Sequence, residues 1–348
     1  HQVGNTLDLL VRAQKKKDEQ RVLLHLALRL KNFSLFAELN DEDLFRIAKN
    51  VRVHEIAKDE VVFTQEESSD DIYLVETGQV RVVGNTPFGE QALATIDAGG
   101  FFGELAFIDS QSRSAEAVAC TSTTLVSMSR ADMAPLFDTR KEVAVRFFWD
   151  FWKNLARRTR QSNELLKTFF QDSGSQSAPQ VDKKAITEAK KISFDLDQKL
   201  KALQKRGLLS AKELRLLATF SDEEQYHKDE AIFLEGDEGE KLYIILDGQV
   251  RISKQIAGIG DEALAILEPG DFFGEMALID QEQRSADVHC HSNTVTLLCI
   301  TNDVLNEILS VDIESAYQFL SILCRILAKR LREINLKIIQ WRLMSGGF

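Results

Sequence analysis

The chain has 348 residues, 44% hydrophobic and 28% charged, with a net charge of −11, a balance that suits a soluble protein with room for two domains. The acid excess argues against nucleic acid as a general partner, which would need clustered Lys and Arg, and no apolar run approaches the roughly 20 residues of a membrane helix. Cys120, Cys290, Cys299 and Cys324 show no CxxC spacing, so a reduced, cytoplasmic compartment is expected rather than a disulfide framework.

No signal peptide is visible at the N-terminus. The chain opens on His1 rather than Met, as a processed fragment would. Residues 6–31 are helix formers with Leu23, Leu26 and Leu30 on one face, which predicts one or two helices leading into a first domain; the Lys15-Lys16-Lys17 run is expected to be solvated. Asn40 stands where it would cap a short helix over 41–50. The pattern then changes to period two, with Ile72-Tyr73-Leu74-Val75 leading to Gly78-Gln79-Val80-Arg81-Val82, as expected of strands separated by polar turns.

Residues 142–170 return to helical spacing, with Val145, Phe148, Trp152, Leu155, Leu166 and Phe169 on a seam that Thr159 and Ser162 interrupt. The Arg157-Arg158-Thr159-Arg160 run lies mostly off that seam, which predicts a solvated basic face. DSGSQSAPQVD, residues 172–182, is the one Ser/Gly/Pro-containing stretch of low hydrophobicity and reads as a linker. The domains are therefore drawn as an N-terminal helical segment (1–31), a first domain (32–171), the linker, and a second domain (183–348). Helices are expected at 183–206 and 210–220, and then the strands recur as Leu242-Tyr243-Ile244-Ile245 and Gly248-Gln249-Val250-Arg251-Ile252.

The offset between the copies is 170 residues at Tyr73 and Tyr243 and 171 at Arg113 and Arg284, as a duplicated all-β unit with one loop insertion would give. The expected fold is mainly β with α, two jelly-roll-like β-rolls each flanked by helices. At the C-terminus, Ile313, Tyr317, Leu320, Cys324, Leu327, Leu331, Ile334, Ile338 and Trp341 alternate by four and three residues. A strict heptad predicts a homodimer seam, with Arg325, Lys329, Arg330 and Arg332 able to pair with acids across it.

The closest repeat is FGELAFIDSQSRSA, from Phe102 to Ala115, and FGEMALIDQEQRSA, from Phe273 to Ala286. Gly103 and Gly274 permit unusual dihedrals and close approach of a ligand. Leu105 and Ala106, with Met276 and Ala277, open apolar segments long enough for one helical turn, whose unpaired N–H groups would face an anion. Arg113 and Arg284 can fork onto two phosphate oxygens. Glu104 and Glu275 would repel a phosphate and more naturally accept hydrogen bonds from a sugar hydroxyl. Together these describe a ribose monophosphate pocket.

Both segments resemble the phosphate-binding cassette of the cyclic-nucleotide-binding domain family, which includes bacterial catabolite activators and protein kinase A regulatory subunits. The resemblance covers two blocks of roughly 120 residues. It implies that Glu104 and Glu275 hold the ribose 2′-hydroxyl and that Arg113 and Arg284 hold the cyclic phosphate. Ser114 and Ser285, followed by Ala115 and Ala286, place a hydroxyl near the phosphate or a guanine amino group. Cyclic AMP is the expected ligand, with cyclic GMP a competitor.

The second copy is the more faithful to the family, having Gly236-Asp237-Glu238-Gly239 and Pro269-Gly270-Asp271 where the first has Glu66-Glu67-Ser68-Ser69 and Ala98-Gly99-Gly100. The first copy also has Ala117 in place of Val288. Glu116 and Asp287 stand where family members often have threonine, and an acid facing the pocket would oppose a phosphate. His289, Cys290 and His291 are not expected to bind metal, because Cys290 points opposite to both histidines on a strand. No nucleophile–base pairing or P-loop is present in the sequence, so no enzymatic role is expected. The expected function is a cytoplasmic sensor that signals to an unidentified protein partner. The alternatives are a kinase-type regulatory subunit, which lacks here the Arg-Arg-x-Ser/Ala/Gly inhibitory motif; a DNA-binding regulator, whose output domain would follow the last helix; and a scaffold with vestigial pockets.

Overall fold

A computed structural model describes residues 2–171, 190–192, 199, 215, 217–219, 221–256 and 260–344. The chain forms two compact units, one made of His1–Asn85 and Glu90–Asp150, the other of Thr86–Gly89 and Phe151–Phe348. The division falls inside a helix, whereas the expected linker at 172–182 lies outside the described residues.

In the first unit α1 (Gln2–Leu30) is one continuous helix, with Leu26 and Leu30 buried and Lys15, Lys16 and Lys17 exposed. Asn40 caps α2 (Asp41–Ala48), accepting from Asp43 N at 2.9 Å. The buried Asp43 carboxylate then receives Arg140 Nη1 at 2.7 Å. Eight strands follow: β1 (Arg52–Ile56), β2 (Val61–Phe63), β3 (Ile72–Thr77), β4 (Gln79–Thr86), β5 (Gly89–Asp97), β6 (Phe101–Phe102), β7 (Glu116–Ala119) and β8 (Thr123–Met128). They form two antiparallel sheets, ordered β1-β8-β3-β6 and β2-β7-β4-β5.

Val80, Leu125 and Val126 are fully buried, and because Leu125 and Val126 are successive residues of β8 both faces of that strand are covered. Helix α3 (Glu104–Asp109) lies between β6 and β7 in sequence, and α4 (Arg130–Thr139) follows β8 with a Ser129–Asp132 capping box. The first turns of α5 (Lys141–Gln171) close this core through Phe147, whose ring lies 5.3 Å from Phe36 and 5.2 Å from Phe137.

The second unit repeats the roll with one added strand. β9 (Lys190–Ile192) pairs antiparallel with β10 (Asp222–His227). That corrects the helix expected over 183–206 at these three residues: an edge partner outweighed the local helical pattern, as tertiary pairing commonly does. The remaining strands are β11 (Ala231–Phe233), β12 (Lys241–Asp247), β13 (Val250–Ile256), β14 (Gly260–Leu267), β15 (Phe272–Phe273), β16 (Asp287–Cys290) and β17 (Thr294–Thr301). Their sheets run β15-β12-β17-β10-β9 and β11-β16-β13-β14. Helix α6 (Glu275–Asp280) follows β15, and α7 (Asn302–Val311) and α8 (Ile313–Met344) follow β17.

Most of the heptad on α8 is buried within the single chain. Leu320, Cys324, Leu327, Leu331, Ile334 and Ile338 are all buried, with Leu327 at 0% and Leu331 at 1% exposure. Ile313 is exposed and Tyr317 and Trp341 are half-buried, so most of the stripe along which a homodimer seam is expected packs within its own unit, as a 3.5-residue repeat, which reports only an apolar stripe, permits.

Candidate functional site

The two cassettes fold alike. Gly103 and Gly274 are the N-caps of α3 and α6, with φ of 84° and 76° in the left-handed region that a side chain would resist. A Cβ on Gly103 would meet Asp71 O at 2.8 Å and Arg113 Nη1 at 2.9 Å; on Gly274 it would meet Arg284 Nη1 at 2.7 Å and Lys241 O at 2.9 Å. Glycine is needed in both places because the arginine passes directly beneath the turn. Glu104, Leu105 and Ala106, and likewise Glu275, Met276 and Ala277, are buried in the first helical turn, as are Ala115 and Ala286 after the arginines.

Arg113 is only 2% exposed and Arg284 6%. Each guanidinium packs 4.1 Å from an aromatic centroid, Phe63 for Arg113 and Phe233 for Arg284, a cation–π arrangement that supports a desolvated charge. Burial pulls both guanidinium pKa values down from their usual value, with nearby tyrosine and carboxylate groups opposing the shift. Arg284 donates from Nη1 to Gly274 O and from Nη2 to Lys241 O, both at 2.8 Å. Arg113 makes the corresponding bonds to Gly103 O at 3.1 Å and Asp71 O at 2.8 Å, and a third to Ser69 Oγ at 3.0 Å. These carbonyls fix the fork while leaving Nε of both arginines buried without a partner among the described residues.

The whole second set comes together around one cavity, lined by Gly274, Glu275, Met276, Ala277, Arg284, Ser285 and Ala286. Its empty volume is about 600 Å³, open solvent at its mouth included. Phe233, Ile252, Leu264, Phe273 and Val288 supply apolar wall. Asp287 does not line it: Asp287 Oδ1 accepts from Glu235 N at 2.6 Å and its carboxyl, buried there, is pushed above the usual carboxylate range. The acid therefore braces a neighbouring loop instead of opposing an anion. Glu116, its counterpart, is half-buried. Cys290 is buried while His289 is half-buried and His291 exposed, and no cluster of His, Cys, Asp or Glu suited to a metal occurs among the described residues.

Two helices contribute residues that the repeat does not contain. From α8, Arg330 donates to Glu275 Oε1 and to Phe272 O, both at 2.6 Å, and Glu333 and Ile334 also line the cavity. Arg330 had been expected to pair across a dimer; its partner is the cassette glutamate of its own chain. Glu275 is 1% exposed, and its other oxygen, Oε2, has no hydrogen-bond partner among the described residues.

From α5 come Thr159, Arg160 and Asn163. Arg160 donates to Asp280 through Nε at 2.5 Å and Nη2 at 3.0 Å, and to Gln283 O at 2.6 Å. This corrects the solvated face expected for the Arg157–Arg160 run, in which Arg158 is buried too. The two polar residues that interrupt the seam are also buried and satisfied, Thr159 by Leu155 O at 2.8 Å and Ser162 by Asn335 Oδ1 at 3.1 Å. No sequence signal within the repeat pointed to α5, since Arg160 finds its partners 120 and 123 positions away.

A cavity with a recessed cation and a buried carboxylate oxygen lacking a donor suits a ligand that carries both an anionic group and a hydroxyl. Comparison with known proteins bears on what that ligand is. A family profile described as cyclic nucleotide-binding domain matches residues 53–140 and 223–312. A cyclic AMP receptor protein of Thermus thermophilus is 32% identical over 130 residues, covering 37% of this chain and 58% of its own length. A cAMP-dependent protein kinase regulatory subunit of Candida albicans is 26% identical over 270 residues, 78% of this chain and 47% of that protein. A cGMP-dependent protein kinase of Toxoplasma gondii is 25% identical over 305 residues, 84% of this chain and 25% of that protein. The chain thus spans little more than half the length of the first of these relatives and less of the others. With both stretches matched, and a cassette of the same geometry in each, the chain belongs to the cyclic nucleotide-binding domain family and carries two copies of the domain.

Proposed function

We propose that the chain is a cyclic nucleotide sensor that binds cyclic AMP, at the second cassette foremost, and signals its occupancy to a protein partner. The observation that carries this reading is the pair of orphaned buried atoms in one cavity, Arg284 Nε and Glu275 Oε2. An unsatisfied buried donor or acceptor costs about 1–3 kcal/mol, and more when charged; a phosphate oxygen and a ribose hydroxyl would satisfy them. The functional domains are proposed as 32–171 and 183–348, with Gly103, Glu104, Arg113 and Ser114 serving the first site as their counterparts serve the second.

A kinase-type regulatory role is the second reading, favoured by the match to a cAMP-dependent kinase regulatory subunit across 78% of the chain. It makes a protein kinase the partner. Isothermal titration of the chain with cyclic AMP and cyclic GMP tests the ligand. Binding of cyclic AMP is expected; cyclic GMP binding at least as tightly would overturn the choice of base, and binding of neither would leave the cassettes vestigial. Pull-down from a lysate with and without nucleotide, probed for kinases, tests the partner.

A further inference from the structure

We propose that Asn163, on the helix that enters the second unit, reads the adenine edge of a nucleotide bound in the second cavity; this rests on that cavity taking a cyclic nucleotide. Asn163 lines the cavity, is 4% exposed, and its amide oxygen has no hydrogen-bond partner among the described residues. A buried amide oxygen is rarely left alone, and one in a ligand cavity calls for a donor from the ligand.

The neighbours of Asn163 are all committed elsewhere, so its placement is rigid. Arg160 is clamped to Asp280 and Gln283 O, and Ser162 to Asn335 Oδ1. Glu164 pairs with Lys254, which is fully buried and also donates to Ser285 O at 3.2 Å. Three residues flanking Asn163 thus tie α5 to the cassette helix, to α8 and to the strand beneath the cassette. The anionic and hydroxyl-binding roles are taken by Arg284 and Glu275, which leaves Asn163 available to the base.

Adenine presents its 6-amino donor beside a ring-nitrogen acceptor, and an asparagine amide offers the complementary acceptor and donor side by side. Guanine offers two acceptors on its Hoogsteen edge, of which one amide can serve only part. The inference adds to the cassette a base contact from outside it, and it gives the expected preference for cyclic AMP a physical cause.

The test compares cyclic AMP with cyclic purine riboside 3′,5′-monophosphate, which lacks only the 6-amino group, on the full chain carrying Arg113→Ala so that the second cavity reports alone. Without further change, cyclic AMP is expected to bind about tenfold tighter or more, as a bidentate base contact implies. Asn163→Leu, close in volume, should bring the two ligands to within about twofold by lowering the affinity for cyclic AMP more than that for the analogue, which keeps only the ring-nitrogen contact; Asn163→Ala carries the same comparison should the leucine variant not fold. Equal losses for both ligands, or an unchanged ratio, would assign Asn163 to packing and overturn the inference while leaving the cavity's function intact. A preference for cyclic GMP that Asn163→Leu abolishes would overturn the assignment to adenine. Binding of no cyclic nucleotide in the presence of Asn163 would remove the reading of the cavity itself, and the inference with it.

Discussion

Arg113 and Arg284 sit at corresponding points of two loops wired alike. Glu66 N and Gly236 N each donate to the arginine's own carbonyl at 2.9 Å, and the arginine's N donates back to Glu67 O at 3.0 Å or Asp237 O at 2.8 Å. The side chains then differ. Among the described residues Arg113 has three acceptors, Ser69 Oγ among them, and Arg284 two. A guanidinium has five N–H groups, so the second arginine keeps one more for a ligand. The cause is a single position: Ser69 in the first loop corresponds to Gly239 in the second, where a Cβ would stand 2.4 Å from Ala277 Cβ and 2.8 Å from Arg284 Cζ. Two cassettes of nearly the same sequence thus differ through a loop outside them, which takes a donor of Arg113 and none of Arg284.

The largest effect should come from the helix that covers the second unit. Leu327→Asp with Leu331→Asp places two unpaired carboxylates in a core where each leucine is essentially inaccessible; each costs several kcal/mol. Loss of the second unit's cooperative melting transition in calorimetry is expected. A folded double variant of halved mass in light scattering would instead restore the dimer seam.

Next in size is the loss of the arginines. Arg284→Ala should lower affinity at the second site more than tenfold, since charge-assisted hydrogen bonds contribute about 1.5–3 kcal/mol each. Arg113→Ala should do the same at the first, from a weaker starting affinity. Titration of each variant decides whether the cassettes are equivalent; unchanged affinity in both would sink the pocket assignment.

Exchanging the loop residues sharpens the comparison directly. Gly239→Ser must displace the Arg284 guanidinium or Ala277, and about a threefold to tenfold loss at the second site is expected, comparable to one neutral hydrogen bond. Ser69→Gly releases an N–H of Arg113 and should raise first-site affinity by about the same factor. If both exchanges leave binding unaltered, the number of donors left on the arginine does not set the difference.

The smallest effect concerns the turn itself. Glu66 holds φ at 66°, a left-handed conformation that Gly236 occupies at 91° in the second copy. Glu66→Gly relieves about 1 kcal/mol of strain but gives up the bond from Ser112 Oγ at 3.0 Å. A net gain of about 0.5 kcal/mol, seen as a rise of about 1–2 °C in Tm, is expected. A fall in Tm would show that the Ser112 contact outweighs the strain.

The sequence by itself determined the duplicated roll and the contents of both cassettes. Strand periodicity, the Asn40 cap and the repeated Gly-Glu and Arg-Ser-Ala sets are local signals, and local signals survive translation into structure because backbone dihedrals and hydrogen bonds fix them within a few residues. What tertiary structure alone decided was the use of long helices. The heptad on α8 specified an apolar stripe, which any apolar surface can cover, and the surface covering most of it proved to be the chain's own. Arg160, Asn163 and Arg330 entered the second cavity for a related reason. A charged or amide side chain on a helix carries no mark of its partner, and the acids and the cavity that receive these three are brought to them by the fold.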